Sequence, residues 1–133
     1  MFDPREFISV SRALCAPGLT EAQYRTAVSR ALYGVFLQAR EELDSRGEKV
    51  KITSREYAPD EHSKVRQRFK IGGNFRHDGV SQRLGGLYKL RYMSDYDLGH
   101  TVKQRDLLQA LKYVDYIENA FKTTLFAKPP NSD

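Results

Sequence analysis

Cysteine is nearly absent from this chain, whose 133 residues include only Cys15. A single cysteine excludes an internal disulfide framework and a cysteine-rich zinc site. The spacing of the three histidines is not that of a metal-ligand cluster, so we expect neither a metal nor a cofactor. The longest mostly apolar run, Ala31–Leu37, is far too short to span a bilayer. With no signal peptide visible at the N-terminus, these features predict a soluble, cytoplasmic protein that does not associate with membranes.

The composition is that of one ordinary globular domain. Hydrophobic residues make up 40% and charged residues 29% of the sequence, which is usual for a soluble protein. The length suits a single core without cross-links, and no internal repeat is present. We therefore expect one domain over residues 1–127, followed by a flexible tail over residues 128–133.

Sequence signals for the start and the end of helices occur along most of the chain. Thr20–Gln23 is a capping box, and the helix that follows carries apolar residues on more than one side, which predicts a central position. Little strand is expected, so the fold class is all-α, with an antiparallel bundle of four to five helices as the default architecture. The predicted helices run from Asp3–Pro4 to before Pro17, from Thr20 to Arg46, from Asp60 to about Ile71, from Val80 to Ser94, and onward from a second capping box at Thr101–Gln104 through Leu125.

The segments between these helices are predicted to be loops. Residues 48–59 form a connector in which Val50–Ile52 favours a short extended piece, and residues 74–79 are expected to form a loop. The Gly72–Gly73 pair is typical of a turn, whereas Gly85–Gly86 indicates close helix packing.

The net charge of +5 is concentrated in one part of the sequence. Between Lys64 and Arg91 there are eight basic residues and one acidic residue, Asp78, which gives +7 within 28 residues. Like charges four residues apart on a helix repel each other, and phosphates would relieve that repulsion. Aromatic residues between these charges could stack on unpaired bases. The band predicts RNA binding; the alternative is a solvated basic face with core aromatics between its members. Its candidate RNA-binding residues, apart from Arg91, are Lys64, Arg66, Arg68, Lys70, Arg76, Arg83 and Lys89, and the interleaved aromatics are Phe69, Phe75, Tyr88 and Tyr92.

The segment Arg91–Asp97 contains the strongest candidates for chemistry. Arg91 lies four residues after Leu87, on the core side of its helix, and Asp95 is placed to pair with it. Arg91 could bind a phosphate or stabilise charge that develops on one, and Tyr96 would offer a hydroxyl. The alternative is an Arg–Asp pair that only anchors the helix end.

His62 opens the short helix and is the histidine best placed for proton transfer. The alternative is a capping or packing residue. The candidate catalytic set is therefore Arg91, His62, Asp95 and Tyr96.

Three segments resemble the motifs of HEPN domains (higher eukaryotes and prokaryotes nucleotide-binding). Ser29–Phe36 resembles their "SRxYYaxF" helix, Glu61–Val65 the His–Ser segment that opens the next helix, and Leu87–Tyr96 the "LxxLRxxaDY" signature. The order and spacing agree from about Thr20 to Phe126. The resemblance implies a helical bundle that forms a homodimer with a groove at the interface.

The resemblance also implies two functions. Many HEPN proteins are metal-independent endoribonucleases, often toxins of toxin–antitoxin or antiviral defence systems, and others are non-catalytic modules that bind RNA, a nucleotide or a partner protein. Their catalytic motif is an arginine followed after four to six residues by a histidine. Here Arg91 matches the arginine, but eight residues separate it from His100, which is more than the motif allows. His62 therefore becomes the candidate base. Tyr96 matches a tyrosine that a nucleotidyltransferase-type antitoxin could modify.

Overall fold

The computed structural model describes residues 1–45, 59–71 and 75–123, and within these ranges the side chains of 59–61, 70–71 and 75–77 are left out. The described residues form five helices and contain no strand, which confirms the all-α class. The helices are α1 (Arg5–Ala13), α2 (Glu21–Ser45), α3 (Pro59–Ile71), α4 (Phe75–Tyr96) and α5 (Gln104–Lys122). The predicted extended piece at Val50–Ile52, residues 72–74, Leu125 and the tail lie outside the described residues. Among the described helices, none is long and apolar enough to cross a membrane.

Helix α2 is the centre of the bundle, as its sequence predicts. It contacts each of the other four helices, and its buried residues lie on several sides of its axis. The predicted capping box is present at its start: the Gln23 N–H donates to Thr20 Oγ1 at 3.2 Å, and the Thr20 N–H donates to Gln23 Oε1 at 2.9 Å. Each bond gives a partner to a backbone N–H group that has no acceptor within the first helical turn.

Helix α4 is longer than its sequence suggests. The predicted loop over residues 74–79 is wrong, because α4 begins at Phe75. Gly79 does not end a helix here; it is buried, and the hydroxyl end of Tyr116 fills the place where a Cβ would stand. The expected inner side of α4 is confirmed, since Leu84 and Leu87 are buried in the core.

The second predicted capping box, at Thr101–Gln104, is also wrong. Gln104 is the first residue of α5, and the Lys103 N–H donates to Asp106 Oδ2 at 2.9 Å. The acceptor at the third helical position is thus Asp106. Along α5, Leu107, Leu111, Val114 and Ile117 are buried and Phe121 is partly buried against the core.

Candidate functional site

Arg91 is buried, with only 7% of its surface exposed, and its guanidinium contacts two polar partners. Its Nε lies 2.9 Å from Asp95 Oδ2, so the ion pair expected from the spacing forms. Its Nη2 donates to the hydroxyl of Tyr33 on α2 at 3.1 Å, and Ser29 Oγ donates to the same Asp95 oxygen at 3.3 Å. Arg91 is therefore oriented by two helices, which is the arrangement that a buried charge requires.

His62 lies in the same region and is also buried, with 4% exposed. Its ring stacks on Phe36 of α2, with centroids 4.0 Å apart, and meets Tyr88 of α4 at 5.5 Å. Burial, together with the positive charges of Arg91 and Arg66, lowers the pKa of His62 from its ordinary value of 6.5 to about 4. The imidazole is therefore neutral at pH 7 and close enough to both guanidinium groups to respond to their charge.

The three segments that resemble HEPN motifs converge at this place. Ser29, Tyr33 and Phe36 lie at successive turns of one face of α2 and contact Asp95, Arg91 and His62, respectively. We call the set Ser29, Tyr33, Phe36, His62, Arg91 and Asp95 the buried cluster, after its four buried members; Tyr33 is half-buried and Asp95 lies exposed at the edge. Its members combine a neutral imidazole, a guanidinium and a carboxylate, which are the groups used for proton transfer and for binding a phosphate.

Arg66 approaches the buried cluster from α3. A Cβ added at Gly85 of α4 would lie 2.7 Å from Arg66 Nη2 and 3.0 Å from its Cζ, so the guanidinium rests on the glycine backbone. The Nε of Arg66 is buried and has no hydrogen-bond partner among the described residues. The prediction of close packing at Gly85–Gly86 is thus confirmed, because the ring of Tyr113 occupies the corresponding place at Gly86.

The basic band does not form one uniform surface in the part of the chain that the structure describes. Lys64 and Arg68 are exposed on α3, and Lys89 is exposed on α4. Arg83 is half-buried, with its guanidinium carbon 4.0 Å from the centre of the Tyr116 ring. The side chains of Lys70 and Arg76 lie outside the described residues.

The interleaved aromatics also divide. Phe69 belongs to the core with 1% exposed, and its ring lies 5.8 Å from that of Phe121, so the prediction that it could stack on a base is wrong. The side chain of Phe75 lies outside the described residues. Tyr88 is half-buried, and Tyr92 is exposed at 56%. Tyr96, which follows Tyr92 one turn later on α4, is exposed at 59%.

An open groove runs along the last turns of α4. It has a volume of about 610 Å³ and is lined by Tyr88, Lys89, Tyr92, Met93, Tyr96 and Asp97; we call it the tyrosine groove. The rings of Tyr92 and Tyr96 lie 5.1 Å apart, and the guanidinium carbon of Arg91 lies 5.7 Å from the Tyr96 ring. Tyr88 lines the groove and also touches His62, so the groove and the buried cluster are neighbours.

Arg25 is a structural residue that no sequence motif singles out. Its guanidinium donates to the carbonyl oxygens of Met93, Ser94, Asp97 and His100, and its Nε lies 2.9 Å from Glu21 Oε2. It thereby caps the end of α4 and holds the loop that leads to α5. The only sequence signal is the Glu21–Arg25 spacing of four, which is common on helix surfaces. His100, whose carbonyl accepts one of these bonds, lies in this loop, as predicted.

Neither metal chemistry nor a known relative offers a further guide to the site. Among the described residues, no group of three or more His, Cys, Asp or Glu side chains is placed to hold a metal ion. Comparison with protein-family models, curated proteins and solved structures gave no match. The buried cluster and the tyrosine groove are therefore the features from which a function can be inferred.

Proposed function

We propose that this chain is a HEPN-like module that binds single-stranded RNA in the tyrosine groove. The observation that carries the proposal is the pair of exposed rings, Tyr92 and Tyr96, beside Lys89 and next to Arg91. Exposed aromatic rings are platforms for unpaired bases, and adjacent cations attract the phosphate backbone. The convergence of the three motif segments on one buried cluster supports the HEPN-like assignment.

In this proposal the buried cluster shapes the groove. Asp95 and Tyr33 hold Arg91 in place, and Arg91 in turn lies beside the Tyr96 ring. The HEPN resemblance further implies that two copies associate so that their grooves meet at the interface. Sedimentation-velocity measurement of the full chain tests that part, and a monomer at all concentrations would contradict it.

Binding is measured by fluorescence anisotropy with a labelled single-stranded RNA over a series of salt concentrations. Tyr92→Ala and Tyr96→Ala should each weaken binding roughly 5- to 100-fold, because stacking of one base on an aromatic ring contributes about 1–3 kcal/mol. Leu108→Ala is the matched control, since Leu108 is an exposed apolar residue on α5. Equal affinity of wild type and both tyrosine variants would refute the stacking role.

The contribution of Lys89 is tested in the same titrations. Lys89→Ala should weaken binding to all RNA sequences alike and reduce the slope of log affinity against log salt by about 1. Lys112→Ala on α5 is the control, because Lys112 is equally exposed but lies outside the groove. Binding that does not depend on salt would exclude phosphate contacts.

A second candidate function is metal-independent RNA cleavage, as in a toxin. It is favoured by one observation, the neutral imidazole of His62 near the guanidinium of Arg91. In that reaction His62 would accept the proton of an RNA 2′-hydroxyl, and the 2′-oxygen would bond to the adjacent phosphorus. The bond from that phosphorus to the 5′-oxygen of the next nucleotide would break, and the leaving 5′-oxygen would take a proton from water. Arg91 would stabilise the charge on the phosphorane oxygens.

Because both side chains are buried, cleavage would require the cluster to open. Incubation of RNA with chelator-treated protein tests the candidate function: it predicts products with 2′,3′-cyclic phosphate ends that both His62→Ala and Arg91→Ala abolish. Intact RNA after incubation with the wild type would refute the cleavage function and leave RNA binding as the proposed function. If cleavage occurs, Tyr96, which is exposed at the groove, is the tyrosine that an antitoxin of the nucleotidyltransferase type would modify.

A further inference from the structure

Arg66 differs from the paired arginines of the described structure. Arg12, Arg25 and Arg91 each lie within ion-pair distance of a carboxylate, whereas no ion pair or hydrogen bond joins Arg66 to any described residue. Its Nε is nevertheless buried. A buried donor without a partner is unfavourable, and a charged donor more so. A ligand oxygen that reaches the guanidinium of Arg66, which as a whole residue is only half-buried, would satisfy this donor.

Gly85 provides a fixed seat for this guanidinium. Any larger residue at position 85 would place its Cβ 2.7 Å from Arg66 Nη2, closer than van der Waals contact allows. Glycine within a helix is otherwise unfavourable because of its backbone freedom, so close approach of the guanidinium gives this glycine a physical role. The planar group therefore lies between α3 and α4, against the backbone of Gly85.

The surroundings of the seat are electropositive and continuous with the tyrosine groove. Gly85, Tyr88 and Arg91 follow one another at intervals of three residues on α4, which places Arg91 about 9 Å further along the helix axis. Tyr88 contacts His62, which lies one turn before Arg66 on α3. The carboxylate of Asp95 is already bonded to Arg91 and Ser29. An anion beside Arg66 would therefore meet a neutral imidazole and a guanidinium that has no partner among the described residues.

We propose that Arg66, seated on Gly85, binds a backbone phosphate of the RNA whose bases stack in the tyrosine groove. The inference rests on the proposed function and assigns to Arg66 a role distinct from that of the exposed basic residues. A guanidinium can present two N–H groups to two oxygens of one phosphate, which a lysine cannot do. The proposal therefore predicts that Arg66→Lys binds RNA more weakly than the wild type, although the variant keeps the charge.

The first experiment uses inorganic phosphate as the probe, with ionic strength kept constant by chloride. The Nε–Hε resonance of Arg66 in ¹⁵N-labelled full-length protein should shift saturably with phosphate, and it is assigned by its loss in Arg66→Gln. The corresponding resonance of Arg68, which is exposed on the same helix, is the internal control and should move less. An Arg66 resonance that does not respond, or that moves no more than Arg68, would overturn the proposed site.

The second experiment measures RNA affinity by anisotropy. Arg66→Gln and Arg66→Lys should each weaken binding roughly tenfold or more, while Arg68→Gln should cost clearly less. Gly85→Ala should resemble Arg66→Gln, because it displaces the guanidinium without removing the charge, and unchanged helical circular dichroism verifies that each variant folds. Equal losses for Arg66→Gln and Arg68→Gln would overturn the specific role.

These results separate the inference from the proposed function. If RNA binds the wild type through the two exposed tyrosines but Arg66→Gln binds equally well, only the Arg66 site fails. If the wild type binds no RNA while phosphate still shifts the Arg66 resonance, the proposed function fails and the phosphate site remains.

Discussion

Acid should destabilise this protein through one identified side chain, His62. Its pKa is about 4 in the folded protein, against an ordinary value of 6.5. Between these two values the unfolded chain binds a proton that the folded chain does not, so stability must fall as the pH decreases through this interval. With 1.36 kcal/mol per pKa unit, the loss between pH 7 and pH 4.5 is about 2–3 kcal/mol. That is a large part of the stability of a small domain.

The physical origin of this effect is the environment of the ring. Phe36 and Tyr88 remove it from water, and the charges of Arg91 and Arg66, which act on its pKa, are both positive. A protonated imidazole would thus lose hydration and gain repulsion at the same time. The native state consequently keeps His62 neutral far below the pH at which a free histidine is half protonated.

The assay compares urea unfolding of the wild type and His62→Phe at several pH values between 7 and 4.5. The variant keeps an aromatic ring against Phe36 but cannot be protonated, so the wild type should lose about 2–3 kcal/mol more than the variant over this range. Carboxylates such as Glu21, whose pKa is lowered by its bond to Arg25, titrate in both proteins and cancel in the difference. Parallel pH profiles for the two proteins would refute the assigned environment of His62.

Two further predictions concern packing between helices. Arg25→Ala should lower the free energy of unfolding by about 2–3 kcal/mol, because four carbonyl oxygens and Glu21 lose a charged donor; Arg25→Lys should recover only part of the loss in urea titrations, and full recovery would show that charge alone suffices. Gly34→Ala should cost about 1–3 kcal/mol, since its Cβ would lie 2.5 Å from the buried Ile8 side chain and 3.0 Å from the Pro4 carbonyl oxygen; a thermal melt matching the wild type would contradict this contact between α1 and α2.

The helices were predictable where local signals agree with the tertiary structure. The Thr20–Gln23 capping box and the multi-sided apolar pattern that follows identify α2 and its central place, and the spacing of Arg91 and Asp95 identifies their ion pair. The start of α4 was not predictable, because Gly79 indicates a break locally while the ring of Tyr116, far away in sequence, packs on it within a helix. Local propensity was overridden there by a contact that only the folded chain creates.

The candidate site shows the same division. Spacing alone brought out Arg91, Asp95 and Tyr96, because they lie within two turns of one helix. The burial of His62 depends on rings from α2 and α4, and the role of Arg25 depends on carbonyl groups at the end of α4. Every residue has a backbone carbonyl, so the sequence does not show which carbonyl groups accept hydrogen bonds. The contacts of Arg25 are therefore visible only in the folded structure.

Charge density along the sequence is therefore a poor measure of the surface that a ligand meets. On α3 the helical period turns Lys64 and Arg68 outward while it turns Arg66 toward α4, although all three belong to the same basic run. The outward pair can raise the local concentration of any polyanion, and their effect should be screened by salt. Arg66, held on Gly85 with a buried donor, is screened less and has a defined orientation. If RNA is the ligand, the exposed lysines and arginines govern how fast it arrives, whereas Arg66 and the tyrosine groove determine how long it stays.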